Sequence, residues 1–448
     1  MNTPAKEMKK NMGVLSATSI VVGCVIGAGV FFKPYAIYQA TGGAPGLGLL
    51  SWILGGVISI LGALTFAEIA VMIPRTGGMV TYLGEVYDRR IGFLAGWMQV
   101  VIFYPAYVAG YGVKVGTELT SIFGVNISLP VALLVITGIV VLNVIGSGTA
   151  GKFQVISTVC KLIPLVLITI VGFIIGGSRE PLLTPVIGGG VSAGSALGTT
   201  LLAVLFAFEG WTNVGTIAGE MKKPAKDLPK AIVGGVSIIM AVYLLINLAY
   251  LKVIPASELM HLESPAAAVA AKLFGNAGGT IITIGIIVSV IGAGNGFLLS
   301  GSRVAYYLAA ENMLPFSQRL AKLNKNLVPA NSIILIGTLA ALYSLIGQFD
   351  LLTDIGTFSC WIFYTLTFLC VIRMRRKVPQ AERKYKVPGY PVVPILAIAG
   401  GAYVVFSQLF LSGARGRLMS LASVGITLIG LPVYLLVQKK KAAGENAN

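Results

Sequence analysis

Apolar runs of about 20 residues recur along the whole chain, and this recurrence limits the fold more than any other feature. A helix that crosses a bilayer needs about that length, whereas strands of a membrane β-barrel alternate in polarity over about 10 residues. Only 11% of the residues are charged, against about 25% in soluble domains. The sequence therefore predicts an all-α integral membrane protein and excludes a soluble enzyme. We predict twelve transmembrane spans, at residues 13–36, 46–73, 91–114, 129–147, 153–177, 194–218, 231–254, 278–305, 329–347, 351–372, 389–411 and 418–437.

The distribution of cationic residues predicts the topology. Of the 33 Lys and Arg residues, 25 lie in segments on the N-terminal side of the membrane. Seven, including Lys33 and Lys114, are assigned to the opposite side, and Lys161 lies inside a span. The positive-inside rule then places both termini in the cytoplasm. This asymmetry accounts for the net charge of +17 without a nucleic-acid partner. Membrane lipids are expected partners, and anionic lipid is expected near Arg376.

Two spans carry residues that break helices at the middle of the membrane. Span one contains Gly23, Gly27 and Gly29, and each interior glycine costs a helix about 1 kcal/mol relative to alanine. A small-residue packing face is the other interpretation of this stretch. Span six carries Glu209 and Gly210 at its centre. Interrupted helices at matching positions in two halves are typical of transporters built from inverted repeats, and their half-helix ends suit a zwitterionic α-amino acid.

Several ordered motifs give the sequence a family resemblance over nearly all spans. They lie at residues 27–31 with 33–34, 67–68 with 73–78, 161–164, 206–211, and 219–224 with 228–229. With these motifs the chain resembles the amino acid, polyamine and organocation (APC) superfamily, and within it the bacterial L-amino acid transporters.

The resemblance implies a fold of five plus five helices in inverted repeats (the LeuT/APC fold), with helices 1 and 6 unwound. The repeats would occupy 13–177 and 194–372, two added spans 389–437, and cytoplasmic tails 1–12 and 438–448. The implied activity is sodium-independent exchange of L-amino acids across the plasma membrane, here a bacterial inner membrane. We favour small neutral substrates such as serine, threonine and alanine. Proton-coupled symport, and exchange of cationic or larger neutral amino acids, are the alternatives.

The resemblance also implies which groups hold the substrate. Backbone N–H groups of the glycine motif would bind its carboxylate, and carbonyls of both unwound segments, with Glu209, would bind its ammonium. Phe206 would be the lid on the outward side; its other interpretation is a lipid-facing or core aromatic. The predicted substrate-binding residues are Val25, Ile26, Gly27, Ala28, Gly29, Val30, Phe206, Ala207 and Glu209.

Lys161 and Glu209 are the two ionisable residues whose roles stay open. In sodium-coupled relatives a cation lies between spans one and eight, and the Lys161 ammonium resembles a fixed replacement. It would donate to carbonyls near Val22 or Gly23 and to a span-eight acceptor such as Ser289 or Asn295. Lys161 as a proton carrier, or as a lysine that snorkels, are the alternatives. Glu209 would favour a cationic side chain, bind a substrate hydroxyl, or serve as a structural acid.

The sequence offers no metal site, cofactor site or catalytic constellation. His261 is the only histidine and lies in a predicted outward loop, so neither metal hydrolysis nor a serine and histidine pair has its residues. Animal L-amino acid transporters pair with a glycoprotein through a cysteine in the loop after span three. Residues 115–128 contain no cysteine, so we expect no disulfide-linked subunit.

Overall fold

The computed structural model describes residues 13–73, 77–212 and 223–445. The tail 1–12, residues 74–76 of the first predicted inner loop, the motif at 219–222 and the end of predicted span six lie outside the described residues. Within the described ranges the chain is helical and contains no strand.

Seventeen α-helices follow one another in the described part of the chain. They are α1 Val14–Val25, α2 Gly29–Ala40, α3 Pro45–Met72, α4 Met79–Val86, α5 Arg89–Met98, α6 Tyr104–Phe123, α7 Ser128–Ile145, α8 Ser147–Ile175, α9 Ala193–Ala207, α10 Pro224–Val253, α11 Ala256–Leu259, α12 Pro265–Ala310, α13 Ser317–Leu320, α14 Ala330–Ser344, α15 Phe349–Lys377, α16 Val392–Phe406 and α17 Ala414–Glu445. A π-helical turn, Gln99–Phe103, joins α5 to α6, and another, Ser407–Leu411, extends α16.

Nine helical stretches among the described residues are long and apolar enough to cross a membrane, and α9 and α14 are shorter apolar helices. Every predicted span overlaps one of these or the pair α1 and α2; the number of crossings itself stays a prediction. Several helices are longer than the predicted spans, among them those of the third and eighth. The third continues through the π-helical turn to Phe123, and α12 begins at Pro265 because the chain stays helical on both sides of a kink at Gly275 (φ 72°).

The helices pack in two groups that place the broken helix at the centre of the protein. In the first group, α1 packs on α10, α2 on α9, and α3 on both α9 and α10. In the second, α6 packs on α7, α12 and α14, and α12 also packs on α8. Helix α15 contacts α3 and α9 of the first group and α6 of the second. The α1–α2 junction therefore faces α8, α10 and α12 rather than lipid.

Candidate solute-binding site between the helices

The helix of predicted span one is interrupted at three residues. Helix α1 ends at Val25 because Ile26 adopts an extended conformation (φ −65°, ψ 107°), and α2 begins at Gly29 without a side-chain cap. The backbone N–H groups of Ala28, Gly29 and Val30 donate no backbone hydrogen bond to the described residues. The positive end of the α2 dipole thus presents three unbonded N–H groups, an arrangement suited to a carboxylate.

The end of α9 touches the interruption between α1 and α2. Helix α9 ends at Ala207, and Gly210 follows with φ 119°, a conformation that L side chains rarely adopt. A Cβ built on Gly29 would lie 2.5 Å from both the Cα and the Cβ of Ala207. The two breaks are therefore in backbone contact, and only glycine at position 29 allows this approach.

This contact predicts different outcomes for two neighbouring glycines. Gly29→Ala must push the breaks apart, and overpacking of this kind costs about 1–3 kcal/mol, so we expect uptake to fall about 5- to 150-fold. Gly27→Ala is the control, because its new Cβ would lie 3.6 Å from Ala293 Cβ, an ordinary contact. Amino acid uptake into proteoliposomes with matched protein content measures both. Equal activity of the two variants would contradict the close approach.

Tyr243 of α10 joins the two breaks and was missed in the sequence. Its buried hydroxyl lies 3.2 Å from the Val25 carbonyl oxygen and 3.0 Å from that of Ala207. A phenol has one proton, so the two carbonyls share a single donor. The signal in the sequence is a tyrosine near the middle of an apolar span, but periodicity alone gives no reason to separate it from the aromatic core.

Lys161 of α8 contacts the end of α1. Its buried ammonium donates a hydrogen bond to the Gly23 carbonyl and another, at 2.5 Å, to the Ile26 carbonyl. These carbonyls lie where the helix ends and lack intrahelical partners. The ammonium is therefore held by carbonyl oxygens of the break, at a depth where an unsatisfied charge would be costly.

The two acceptors expected on span eight are not brought to this ammonium. Ser289 Oγ is buried and has no hydrogen-bond partner in the described part of the chain. Asn295 accepts from Asn143 Nδ2 at 2.8 Å and donates to Gln154 Oε1 at 3.0 Å. The physical reason is that six residues separate Ser289 from Asn295, about 9 Å along a helix, and amide partners on α7 and α8 already satisfy Asn295.

All four carbonyls predicted to bind the substrate ammonium already accept a protein donor. The pairs are Val25 and Ala207 with the Tyr243 hydroxyl, Ile26 with Lys161, and Phe206 with the Glu209 amide at 3.1 Å. A carbonyl oxygen has a second lone pair, but these oxygens are used to hold the breaks together. An ammonium in the site therefore needs a further acceptor.

Glu209 supplies such an acceptor. Its Oε1 accepts from the Tyr364 hydroxyl at 2.6 Å and from the Gly210 N–H at 3.2 Å. Its Oε2 is buried and has no hydrogen-bond partner among the described residues. A buried carboxylate oxygen without a partner is costly. The geometry thus offers one carboxyl oxygen without a partner among the described residues, two residues beyond the backbone contact between Gly29 and Ala207.

Phe206 is enclosed by aromatic side chains and a cation. Its ring centroid lies 5.1 Å from that of Tyr107 and 5.7 Å from that of Phe349, and the Lys33 Nζ lies 4.9 Å from it. Only 3% of the residue is exposed, so the ring does not face lipid.

Lys33, which the sequence assigns to the outward side, is buried and forms an ion cluster with two half-buried aspartates. Its side chain is 0% exposed, and its Nζ donates to Asp350 Oδ1 and Asp354 Oδ1, both at 2.8 Å, and to Thr353 Oγ1 at 3.0 Å. Helix α2 runs on to Ala40, so position 33 lies on its second turn, against the start of α15. Sequence reasoning missed this cluster because the partners lie more than 300 residues apart.

A second ion cluster ties the other end of α15 to α3. The buried Glu68 carboxylate accepts from Arg375 Nε at 2.8 Å and Nη2 at 2.6 Å, and from the Val387 N–H at 2.7 Å. This cluster holds the segment after α15 against the end of α3. It takes no part in the α1–α2 junction.

A broken helix and buried ionisable groups among apolar helices of membrane-spanning length are typical of a membrane transporter. The chain belongs to the amino acid permease family, whose model matches residues 12–432. It is accordingly a multi-pass membrane transporter of amino acids and not an enzyme.

Named relatives cover nearly the whole chain. The chain is 37% identical to the serine/threonine exchanger SteT of Bacillus subtilis (strain 168) over 447 residues, which cover 99% of this chain and 100% of that protein. It is 30% identical to the human b(0,+)-type amino acid transporter 1 over 411 residues, 90% and 83% of the two chains. It is 29% identical to the mouse Asc-type amino acid transporter 1 over 449 residues, 96% and 81% of the two chains.

Proposed function

We propose that this protein is a sodium-independent exchanger of small neutral L-amino acids, such as serine, threonine and alanine, in the plasma membrane. The observation that carries the proposal is the backbone contact that brings the start of α2 beside the end of α9. Unbonded N–H groups of Ala28, Gly29 and Val30 suit the substrate carboxylate, and the free Oε2 of Glu209 suits its ammonium. Every α-amino acid has a carboxylate and an ammonium, so binding groups for this pair recognise the part that all amino acid substrates share.

Two observations support small substrates and exchange. The backbone contact between Gly29 and Ala207 and the enclosure of Phe206 by aromatic rings leave little width beside the breaks. The relative of 37% identity that matches the chain end to end is named as a serine/threonine exchanger. We carry both its substrates and its exchange mode to this chain as parts of the proposal.

The position of Lys161 supports independence from sodium. A sodium ion needs several oxygen ligands, and the Gly23 and Ile26 carbonyls of the broken helix already bind the lysine ammonium. The fixed cation supplies the positive charge at the break, so no ion needs to be taken up with the substrate.

The proposed mechanism is alternating access across twelve spans arranged as two inverted repeats with two added C-terminal spans, both termini being cytoplasmic. On this topology Phe206 and the Lys33 cluster lie on the outer side of the site. Closure there joins α2 to α15 through Asp350 and Asp354. Opening must separate these charges, and substrate binding to α2 and to the segment after α9 would favour the closed arrangement.

Uptake of labelled L-serine into proteoliposomes tests the function. Vesicles are preloaded with unlabelled serine or left empty, each with and without sodium and with an imposed inward proton gradient. Uptake that requires internal amino acid and ignores both ions is expected. Concentration into empty vesicles driven by protons would instead indicate symport, and competition by lysine or leucine rather than alanine would revise the substrate.

Lys161→Ala is expected to lower exchange about 30-fold or more, because it leaves the Gly23 and Ile26 carbonyls without this donor and each lost partner costs about 1–3 kcal/mol. The pH profile of the remaining activity should match that of the native protein. Initial exchange rates between pH 5.5 and 8.5 provide the measurement. A native pH dependence that disappears in the variant would mean that Lys161 carries a proton, and unchanged rates would exclude both roles.

A further inference from the structure

The positive-inside rule places the C-terminal end of α15 on the cytoplasmic side of the membrane. A groove lies at this helix end. It has a volume of about 510 Å³. Its lining is Tyr87, at the end of α4, together with Leu369, Ile372, Arg373, Arg376 and Lys377 of α15. No acidic residue is among the lining side chains.

The α15 residues of this groove form one stripe in which polarity changes along the helix. Leu369, Ile372, Arg373 and Arg376 are spaced by three, one and three residues, which places them on one helical face. The apolar pair comes first, nearer the centre of the membrane, and the cations follow toward the helix end. The stripe therefore matches a molecule with an apolar chain and an anionic head.

The cations of the stripe have no carboxylate partner. None of Arg373, Arg376 and Lys377 forms an ion pair with a residue in the described ranges, and all three are exposed. The Arg373 guanidinium lies 4.9 Å from the centroid of the Tyr87 ring, which holds it at the groove. By contrast, the neighbouring Arg375 is bound to the Glu68 carboxylate. At this helix end, Arg375 is therefore paired with a carboxylate, whereas the three cations of the groove form no ion pair with a described residue.

We propose that this groove binds an anionic phospholipid of the cytoplasmic leaflet. The phosphate would lie against Arg373, Arg376 and Lys377, and the first acyl carbons against Leu369 and Ile372. Unpaired cations where a helix leaves the membrane are attracted to anionic lipid, and each contributes about a fivefold preference. The site is separate from the proposed exchange activity, because it lies beyond the Glu68 cluster and away from the α1–α2 junction.

The test compares phosphatidylglycerol with phosphatidylcholine of the same acyl chains, added to the purified full-length protein in detergent. Bound lipid is counted by native mass spectrometry. The variant Arg373→Gln/Arg376→Gln/Lys377→Gln removes the proposed head site. Its matched control, Arg319→Gln/Lys322→Gln/Lys325→Gln, removes the same charge from another exposed segment assigned to the cytoplasm.

We expect the native protein and the control to bind phosphatidylglycerol about 100-fold better than phosphatidylcholine, and the groove variant to lose most of that preference. Tyr87→Leu should lose part of it without any change in charge. Equal losses in both triple variants would show that net charge alone attracts the lipid, and an unchanged preference in the groove variant would exclude the site. Thermal unfolding of each variant confirms that it is folded.

Discussion

Glu209→Gln is expected to lower serine exchange at subsaturating substrate about 30- to 5,000-fold, because truncating one partner of a buried charged pair costs about 2–5 kcal/mol. The glutamine carbonyl can still accept from Tyr364 and Gly210, as Oε1 does now, so the protein should fold. What changes is the group at Oε2, where an amide that donates replaces an oxygen that accepts. Initial rates over a range of external serine concentrations give the measurement.

Two comparisons separate the roles left open for this carboxylate. Tyr364→Phe is the matched control, because it removes the donor to Oε1 and leaves Oε2 untouched; a loss of about fivefold is expected. Alanine and serine exchange should fall equally in Glu209→Gln if Oε2 binds the ammonium. A fall confined to serine and threonine would assign Oε2 to a side-chain hydroxyl, and native rates for all substrates would make Glu209 a structural acid.

The glycines beside the ends of α1 and α9 could be identified from the sequence because their effect on a helix is local. Three glycines within seven residues weaken the helix of span one, and α1 ends two residues before the second of them. Gly210 similarly marks the interruption after α9, and its positive φ needs glycine. Apolar length likewise predicts the spans, since it depends only on neighbouring residues.

The partners at the breaks could not be predicted, because they depend on which distant helix packs there. The sequence assigned the carbonyls of Val25 and Ala207 to the substrate, whereas the Tyr243 hydroxyl from α10 lies against both. Local pattern shows that a carbonyl is freed, but it does not show which side chain reaches it first. Asn295 was misjudged for the same reason, since Asn143 and Gln154 compete for it.

The Lys33 cluster shows that contacts between distant helices, which local sequence does not reveal, also involve residues proposed to act in transport. A lysine near the end of an apolar run is typical of a residue at the membrane surface, and Asp350 and Asp354 near the start of another run have the same appearance. Only the packing of α2 against α15 brings these three charges together, with the Lys33 ammonium buried against the Phe206 ring. The proposed outer closure is thus a property of the tertiary structure.

Lys33→Met is expected to lower exchange about 10- to 150-fold, because the lost hydrogen bonds from a buried ammonium to half-buried carboxylates are worth about 1.5–3 kcal/mol. The variant leaves the Asp350 and Asp354 carboxylates close together without their cation, which disfavours the outward-closed arrangement that every exchange cycle must pass through. Lys272→Met, which removes an exposed lysine assigned to the same side, is the charge-matched control and should exchange at the native rate. Serine exchange in proteoliposomes measures both variants.

Neutralising Lys33, Asp350 and Asp354 together distinguishes two explanations for the loss of exchange: impaired closure, and the loss of the Lys33 charge alone. Replacing a complete buried ion cluster by neutral groups is often nearly neutral in energy, whereas breaking it is not. The variant Lys33→Met/Asp350→Asn/Asp354→Asn should therefore exchange serine at least tenfold faster than Lys33→Met alone. If Lys33→Met exchanges at the native rate, or if the triple variant recovers nothing while remaining folded, these charges do not control closure. Substrate-dependent thermal stabilisation of each variant shows that the site beneath Phe206 still binds.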